Sequence, residues 1–464
     1  MITVSNVITI DNPSRELLSW CTKNLKLRNP EYDKKLRMHF WVGKTPEFLY
    51  LYEIHGEKLV LPFGTLRNIL PMVNTDEIKT DFQIPKAIDY GCDVPLYDYQ
   101  EKAVEEVYWK QYGILQSPAG SGKTQMGIAL IAKHGKRALW LTHTKDLLTQ
   151  SKDRAKQYMG EALLGTITEG KVNIGKGITF ATVQTMCNLD LAQYKDMWDV
   201  IVVDECHRVA GTPTSVSQFS KVLNSLAARH KYGLTATVHR SDGLIKATFA
   251  LIGDVIYAVP QEAVADKILK VGICPIPTGI GVSRKCQNPD GTVNHARMIN
   301  YLCESPERNE LIADCITANR DMPSLILSDR LEHLETLMSM LPADMREDAV
   351  MVSGKMTTKK GKAEREQAIA DMRSGAKMYL FATYSLSKEG LDIPRLERLY
   401  MASPHKDYAV ITQSIGRIAR THPGKSTPLV YDFVDDVPHL VKAYNIRCRH
   451  YRRGGCFFWE EPTE

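Results

Sequence analysis

The chain has 464 residues, of which 44% are hydrophobic and 24% are charged. At roughly 150 residues per domain, this length predicts about three domains, and the composition excludes a mostly disordered protein. The 59 lysines and arginines exceed the 54 acidic residues by five, a balance that permits a nucleic-acid partner if the positive charge is clustered. The sequence has neither an apolar run of membrane-spanning length nor the pattern of a signal peptide. We therefore expect no membrane segment and a cytoplasmic location.

Residues 1–94 predict a small α+β module. An amphipathic stretch between Leu17 and Leu25 predicts a helix. Strand-like stretches follow at 40–42, 48–54 and 58–63, separated by turn signals. Residues 23–44 hold seven basic residues against two acidic ones, which hints at contact with duplex DNA. We expect that the rest of the protein keeps its basal activity when this module is removed.

From about residue 112, short apolar strands alternate with helical stretches, a pattern typical of βαβ units and parallel sheets. The predicted strands are 113–116, 138–142, 178–181, 200–203 and 232–235, then 324–328, 349–352, 378–382, 398–401 and 428–434. Residues 270–300 are rich in glycine and proline, which is typical of an irregular crossover between lobes that can include a hairpin. We predict an α/β fold with two parallel-sheet lobes, 95–270 and 271–440, and a basic, aromatic tail at 441–464.

The segment SPAGSGKT at residues 117–124 predicts a phosphate-binding loop. It follows a predicted strand and precedes a helical run, the context that such a loop requires. Gly120 and Gly122 let backbone N–H groups turn toward phosphates, Lys123 neutralises the terminal phosphates, and the Thr124 hydroxyl can bind Mg²⁺. The other loop residues are Ser117, Pro118, Ala119 and Ser121. The strict pattern has glycine at the position of Ser117.

Two adjacent carboxylates, Asp204 and Glu205, end the predicted strand 200–203. Ligands of open α/β sheets gather at the carboxyl ends of the strands. Asp204 can hold Mg²⁺ through water, and Glu205 can polarise the attacking water. Because the pair follows a phosphate loop in the same lobe, we interpret it as the second half of a nucleotide site and not as a solvated turn.

Four segments resemble motifs I, II, III and VI of superfamily-two helicases. They are SPAGSGKT, VVDECH at 202–207, Thr235-Ala-Thr237, and QSIGRIAR at 413–420. Serine or alanine is common in that family at the position of Ser117. The resemblance covers about residues 95–435 and implies two RecA-like lobes that use ATP with Mg²⁺.

Further segments are similar to other motifs of this family. Leu96–Gln100 resembles the glutamine motif that reads adenine, which implies roles for Tyr97 and Gln100 in ATP binding. Residues 139–145 and 182–185 resemble motifs Ia and Ib, and residues 326–330 resemble motif IV. Gly390–Pro394, together with Thr383, resembles motif V. The resemblance therefore places Gly390 and Asp392 in the ATP site, with Asp392 at the ribose.

The resemblance also assigns roles within motif VI and in coupling. It makes Arg420 the arginine finger, Arg417 its partner, and Gln413 a residue that helps to place water. Arg417 and Arg420 are three residues apart, so on a helix they would share one face. Thr235 and Thr237 are expected to couple the two lobes, and His207 to link the nucleotide to the track.

Hydroxyl, short polar and basic side chains at the ends of predicted strands suit contacts with nucleic-acid phosphates. These candidates are Thr142, His143, Thr144, Lys145, Thr182, Thr185, Ser328, Arg330 and Thr383. Thr144 precedes a predicted helix and could instead serve only as its cap.

The forms of motifs II and VI, with a module ahead of the first lobe, resemble DNA-remodelling helicases of the XPB and RecG kind. They are most similar to phage helicases that regress forks and migrate Holliday junctions. This resemblance implies branched or forked DNA as the partner, a role in replication, recombination or repair, 3′ to 5′ movement, and the host cytoplasm as the location if a phage encodes the chain. The alternatives are an RNA helicase, the motor subunit of a restriction system, and a nucleotide-switched DNA clamp without turnover. The sequence predicts no particular protein partner.

Overall fold

The computed structural model describes residues 1–83, 86–238, 243–264, 268–288, 292–354, 356, 358–387, 391, 393–405 and 407–459. The chain divides into two compact units. The first contains residues 1–118 and 122–263, and the second contains residues 119–121 and 264–464. Among the described helices, none is long and apolar enough to cross a membrane.

The N-terminal part of the first unit is a mixed sheet with short helices. Its strands are β1 (Ile2–Val4), β2 (Val7–Asp11), β3 (Lys26–Arg28), β4 (Phe48–Tyr50), β5 (Glu53–His55), β6 (Lys58–Pro62) and β7 (Ile78–Thr80). Its helices are α1 (Arg15–Leu25), α2 (Pro30–Arg37) and α3 (Leu66–Ile69). The main sheet has the order β5-β6-β2-β1-β7, and β3 pairs with β4.

Most of the predicted N-terminal elements are present. Helix α1 begins at the Ser14 cap and buries Leu17, Cys21 and Leu25, as its apolar spacing predicts. The strand predicted at 40–42 is wrong, because these residues form an exposed loop. Strands β1 and β2, which the sequence analysis missed, lie in the middle of the sheet.

The N-terminal sheet shares a hydrophobic core with the lobe that follows it. Leu59, Leu61 and Phe63 belong to the same buried cluster as Tyr112 and Ala247. Burial of apolar surface is the main favourable term in folding. The structure therefore argues against the expectation that the rest of the protein keeps its basal activity without residues 1–94, since their removal would expose part of this core.

The rest of the first unit is a largely parallel α/β lobe. Its strands are β8 (Gly113–Gln116), β9 (Ala138–Thr142), β10 (Leu164–Thr168), β11 (Lys171–Asn173), β12 (Ile178–Thr182), β13 (Val200–Asp204), β14 (His230–Thr235) and β15 (Val255–Ala258). Its helices are α4 (Asp98–Lys110), α5 (Lys123–His134), α6 (Lys145–Met159), α7 (Val183–Cys187), α8 (Pro213–Leu223) and α9 (Ile245–Ile252). The order is β11-β10-β12-β9-β13-β14-β8-β15, and β11 is antiparallel to β10. All five predicted strands are present in this sheet.

The second unit is a parallel sheet with helices. Its strands are β16 (Gly272–Gly281), β17 (Ser324–Ser328), β18 (Ala349–Val352), β19 (Tyr379–Thr383), β20 (Arg398–Met401), β21 (Leu429–Asp436) and β22 (Phe457–Phe458). Its helices are α10 (His295–Glu304), α11 (Pro306–Ala318), α12 (Leu331–Met340), α13 (Ala343–Glu347), α14 (Lys359–Ser374), α15 (Tyr384–Ser387), α16 (Tyr408–Ile418) and α17 (Pro438–Arg453). The order is β18-β19-β17-β20-β21-β16-β22. The predicted α/β class and the two parallel-sheet lobes are confirmed.

Two interpretations of the second unit were wrong. The segment predicted as an irregular crossover contains β16, which pairs in parallel with β21. The segment predicted as a tail contains α17 and β22, and β22 extends the sheet beside β16. β22 pairs with Gly272 and Ile273 of β16. On that side, the later part of β16 has no neighbouring strand among the described residues, and Pro275 and Pro277 lie in this part. Proline is tolerated at such an edge because it removes no ladder hydrogen bond there.

Candidate nucleotide site

The predicted phosphate loop connects β8 to α5. Gly120 and Gly122 have φ angles of 85° and 79°, which glycine adopts without strain. A Cβ atom at Gly122 would lie 2.4 Å from Gln100 Nε2, so a side chain there would displace the Gln100 amide. Helix α5 begins at Lys123, and the first N–H groups of a helix have no acceptor within it. The loop and α5 therefore have the geometry of an anion site.

Lys123 lies against its own loop. Its Nζ is 3.5 Å from the Ser117 carbonyl oxygen and 3.4 Å from that of Pro118. Both contacts are long for hydrogen bonds to an ammonium group. Ser117 and Ser121 are buried, whereas Gly120 is exposed and Thr124 is half-buried on the first turn of α5. The ammonium group can therefore turn toward a phosphate at little cost.

The glutamine motif lies beside this loop. Gln100 is 1% exposed, and its Oε1 accepts a hydrogen bond of 2.9 Å from the Tyr97 N–H. This contact caps α4, so Gln100 has a structural role independent of any ligand. The Tyr97 ring is 50% exposed and stacks on Tyr99 with the ring centroids 5.9 Å apart.

Asp204 and Glu205 follow β13, the strand that pairs with β9 and β14. Burial and the neighbouring Glu205 charge raise the pKa of Asp204 to about 6, against the opposing effect of Lys123. Burial also acts to raise the pKa of Glu205, but Lys123 and His207 outweigh it and hold that pKa at about 2. Glu205 has a φ of 47°, a backbone conformation that is uncommon for residues other than glycine. The backbone therefore turns at the point where the two carboxylates separate.

Motifs II and III meet through a chain of polar contacts. His207 Nδ1 lies 3.2 Å from Glu205 Oε2 and 3.1 Å from Thr235 Oγ1. The Thr235 hydroxyl donates to the Thr237 carbonyl oxygen at 2.8 Å and accepts from the Thr237 N–H at 3.2 Å. The structure thus joins the carboxylate pair to the predicted coupling residues.

Ser151 is a residue of this site that the sequence analysis missed. It lies on α6, is 2% exposed, and donates a hydrogen bond of 3.1 Å to Asp204 Oδ2. This contact lowers the pKa of Asp204. A serine 53 residues before its partner, within a helix, carries no motif that would reveal it.

The predicted nucleic-acid contacts separate into two groups. Thr142 and Ser328 are fully buried. The Thr142 hydroxyl donates to the Thr144 carbonyl oxygen at 3.0 Å, and the Ser328 hydroxyl lies 2.9 Å from His333 Nδ1. For these two side chains the prediction of phosphate contact is wrong, because their hydroxyl groups serve the loop and the core.

Of the other candidates, Thr182 is buried, whereas the rest are half-buried or exposed. Thr144 is the N-cap of α6 and its Oγ1 accepts from the Leu147 N–H at 3.4 Å, which fits the alternative interpretation of this residue. The remaining polar contacts are Lys145 with Glu169 at 2.7 Å, His143 with Gln184 at 3.2 Å, Thr182 with Thr185 at 3.0 Å, Arg330 with Asn300 at 2.9 Å, and Thr383 with Ser385 at 2.9 Å. Their contact with a nucleic acid stays a prediction.

Motif VI lies on and just after α16. Gln413 is 8% exposed, and its Oε1 has no hydrogen-bond partner in the described part of the chain. Arg417 donates to the Leu391 carbonyl oxygen at 3.1 Å. Helix α16 ends at Ile418, and Arg420 instead forms a β-bridge with Ile268. The prediction that both arginines share one helix face is therefore wrong, because Arg420 lies beyond the end of α16 and pairs with Ile268. Gly390 and Asp392 lie outside the described residues.

The basic C-terminal segment is not a uniform phosphate-binding surface. Arg447 is 1% exposed and donates two hydrogen bonds of 2.8 Å to Asp432. Tyr451 donates to the same carboxylate at 2.6 Å. Arg447 therefore stabilises α17 on the sheet and is not available to a nucleic acid.

The first unit satisfies the chemical requirements of a Mg²⁺–nucleotide site. Gly122 leaves room beside Gln100, and Lys123 offers a positive charge near the buried Asp204 and half-buried Glu205 carboxylates. Hard oxygen donors such as the Thr124 hydroxyl and the Asp204 carboxylate are the ligands that Mg²⁺ prefers. These residues fit ATP with Mg²⁺.

Comparison with protein families agrees with this chemistry. Residues 93–240 match the family described as "Type III restriction enzyme, res subunit", and residues 307–422 match "Helicase conserved C-terminal domain". The two matches lie in the first and second lobes, and together they show that the chain belongs to the superfamily-two helicases.

Three relatives illustrate the range of this family. "Putative ATP-dependent RNA helicase L396" of Acanthamoeba polyphaga mimivirus is 27% identical over 328 residues, which are 70% of this chain and 60% of the relative. "Probable helicase D10" of Escherichia phage T5 is 26% identical over 353 residues, 75% of this chain and 73% of the relative. "DNA 3'-5' translocase XPB2" of Sulfurisphaera tokodaii is 28% identical over 176 residues, 38% of each chain. The chain thus spans less than two thirds of the length of the first and third of these relatives.

Proposed function

We propose that the protein is an ATP-driven DNA helicase or translocase that acts on branched or forked DNA. The observation that carries this proposal is the arrangement around Lys123, Asp204 and Glu205. Lys123, the buried Asp204 carboxylate and the half-buried Glu205 carboxylate belong to the first unit, the pKa values of the two acids shift in opposite directions, and a polar chain leads from Glu205 to Thr235.

Each group in the first unit has a distinct role in this proposal. Lys123 and the first N–H groups of α5 would bind the phosphates of ATP, and Thr124 and Asp204 would hold Mg²⁺. Bound Mg²⁺ would neutralise negative charge on the phosphates. Glu205 is ionised because its pKa is low, so it can orient the attacking water and accept a hydrogen bond from it.

The second unit supplies the remaining charges in our proposal. Arg420 acts as the arginine finger and Arg417 as its partner, while Gln413 helps to place water. Gln413 Oε1 is a buried acceptor with no partner among the described residues, and such an atom is costly to bury unless it gains a hydrogen bond. A water molecule or a ligand would satisfy it.

DNA is preferred to RNA as the track. The Asp-Glu-Cys-His form of motif II and the Gln-x-x-Gly-Arg-x-x-Arg form of motif VI resemble DNA-remodelling helicases, and one relative is named as a DNA 3'-5' translocase. Movement in the 3′ to 5′ direction follows from the same likeness. An RNA helicase is the second candidate, because another relative is named as an RNA helicase.

ATP hydrolysis measured with single-stranded RNA, single-stranded DNA and a four-way junction tests the choice of track. We expect the junction to stimulate hydrolysis most. Stimulation by RNA alone would favour the second candidate. Unwinding of forks, four-way junctions and linear duplexes in parallel then tests the preference for branched DNA, and equal rates on all three would contradict it.

A further inference from the structure

The loop between α2 and β4 presents large apolar side chains to solvent. Trp41 is 87% exposed and Phe40 is 59% exposed. Leu36 and Met38, just before them, are 48% and 49% exposed. An exposed patch of neighbouring apolar side chains marks an interaction site more often than a chance arrangement. We refer to residues 36–44 as the aromatic loop.

Hydrogen bonds hold the aromatic loop in shape. The Phe40 N–H donates to the Lys35 carbonyl oxygen at 2.8 Å, and the Thr45 N–H donates to that of Val42 at 2.9 Å. The Lys35 side chain closes the base of the loop, with Nζ 2.6 Å from Thr45 Oγ1. The aromatic side chains therefore project from an ordered turn.

The Trp41 ring lies close to the backbone of Gly43. Gly43 has a φ of 50°, and a Cβ atom there would lie 2.9 Å from Trp41 Cζ3. The positive φ of Gly43 favours glycine at this turn, and the indole of Trp41 passes close to its backbone. Because the Trp41 side chain is 87% exposed, most of the indole surface is open to a stacking partner.

The surroundings of the ring are positively charged. Residues 34–44 include Lys34, Lys35, Arg37 and Lys44 and no acidic residue. Arg28 contacts both Asp33 and Glu47, and Lys35 lies 3.5 Å from Glu31. Five basic residues (Arg28, Lys34, Lys35, Arg37 and Lys44) against these three acids leave an excess of two positive charges. This excess favours a polyanion over a neutral or basic protein surface.

A groove beside Trp41 extends toward the motor lobe. Its volume is about 590 Å³. Its walls include Trp41, Lys44 and Asn29 on one side and Thr214 and Ser217 of α8 on the other. Helix α8 begins a few residues after the DECH segment of motif II. The groove therefore lies between the N-terminal module and the helix that follows the predicted catalytic carboxylates.

We propose that the aromatic loop and this groove bind unpaired nucleotides of a DNA strand, with a base stacked on Trp41 and adjacent phosphates at Lys44 and Arg37. Aromatic rings among basic residues are a common arrangement for binding single strands, because every base has a π face and every nucleotide a phosphate. Paired bases in a duplex have both faces covered, so stacking on Trp41 requires an unpaired strand. This inference rests on the proposed function, and it gives the N-terminal module a role at the opened end of a junction.

The test compares Trp41→Ala and Trp41→Phe with wild type in the full chain. Binding is measured by fluorescence anisotropy to a fork with single-stranded arms and to a blunt duplex of equal length. We expect Trp41→Ala to weaken binding to the fork by about five- to a hundredfold, the range typical of one lost base stack, and to leave duplex binding within about twofold. Trp41→Phe keeps a stacking face and should retain most of the affinity. Trp109→Ala is the matched control, because Trp109 is 72% exposed in the same unit and lies outside the groove.

Fork binding by Trp41→Ala that equals wild type would overturn the inference, as would an equal loss for Trp109→Ala. Photocrosslinking from a halogenated base in the unpaired arm should label peptides within residues 36–44, and labelling confined to other segments would also contradict it. Failure of the proposed function has a different signature. In that case wild type itself would lack nucleic-acid-stimulated ATP hydrolysis, whatever residue stands at position 41.

Discussion

Asp204 and Glu205 are neighbours in sequence, yet their environments shift their pKa values in opposite directions. Asp204 is buried and accepts a hydrogen bond from the Ser151 hydroxyl, whereas Glu205 lies beside His207 and near the charge of Lys123. Pairs of acids whose pKa values are driven apart are typical of sites in which the two groups have different tasks. The low pKa of Glu205 suits a group that must be ionised to orient water.

Replacement of Glu205 by glutamine is the first test at this scale. The change keeps the size of the side chain and removes its charge, so we expect ATP to bind with near-normal affinity. Turnover should fall by roughly 10²- to 10⁴-fold, the usual contribution of a positioned acid or base. Steady-state hydrolysis and titration with a fluorescent ATP analogue measure the two effects. Glu161→Gln, an exposed carboxylate of the same unit, is the control, and near-normal hydrolysis by Glu205→Gln would remove Glu205 from the mechanism.

Replacement of Ser151 by alanine tests the pKa of Asp204. The serine hydrogen bond stabilises the ionised carboxylate, so its loss raises a pKa that already stands at about 6. A bond to a charged group contributes about 1.5–3 kcal/mol, which corresponds to about one pH unit or more. Because Mg²⁺ binding needs the ionised form, we expect the acid limb of the pH–rate profile to move to higher pH, with rates above pH 8 little changed. An unmoved limb would show that Ser151 does not influence Asp204.

At the scale of single elements, the C-terminal helix α17 shows how a charged segment becomes part of a core. Arg447 and Asp432 form a buried pair in which the carboxylate also accepts from Tyr451. Cys456 and Tyr451 belong to or pack against the same hydrophobic cluster as Val430 of β21. Composition alone could not distinguish this packed segment from an exposed basic tail.

Replacement of Arg447 by alanine would leave the Asp432 carboxylate buried without its partner. Such a change costs about 3–5 kcal/mol of folding free energy. In urea unfolding of the full chain, the second unit of this variant should unfold at a clearly lower urea concentration than in wild type. Arg449, which is exposed on the same helix, gives the matched control, and its replacement by alanine should change stability by less than about 0.5 kcal/mol. Equal midpoints for the two variants would contradict the structural role of the Arg447 pair.

At the scale of the whole molecule, the N-terminal module is part of the first unit. Lys231 on β14 is 1% exposed and donates to the carbonyl oxygens of Asn6 at 3.3 Å and Leu223 at 2.8 Å. Burial lowers its pKa to about 7. The buried Lys231 ammonium group needs these two carbonyl oxygens as hydrogen-bond acceptors, and one of them, that of Asn6, belongs to the N-terminal module.

Removal of residues 1–94 should therefore destabilise the first lobe and reduce basal ATP hydrolysis. Two losses act together, since Lys231 loses the Asn6 acceptor and the apolar side chains of α9 lose their cover. Circular dichroism during heating and hydrolysis without DNA measure the two consequences. A truncated chain with unchanged melting temperature and basal hydrolysis would show that the shared core contributes little.

The sequence predicted those features whose chemistry lies in adjacent residues. The phosphate loop and the acid pair are of this kind, and so are the apolar strands 113–116 and 324–328. Features that depend on distant partners were missed, such as Ser151 beside Asp204 and the pairing of β16 with β21. The position of Arg420 was misjudged for a related reason, because a helical repeat does not reveal where tertiary contacts end the helix.

The rate of DNA-stimulated ATP hydrolysis by Arg420→Ala tests the central claim most directly. If Arg420 of the second unit serves the ATP bound by the first, the loss should be about 10³-fold or more, the usual contribution of an arginine finger, with ATP affinity changed little. Hydrolysis within a few-fold of wild type would contradict the account of the protein as a motor built from both units.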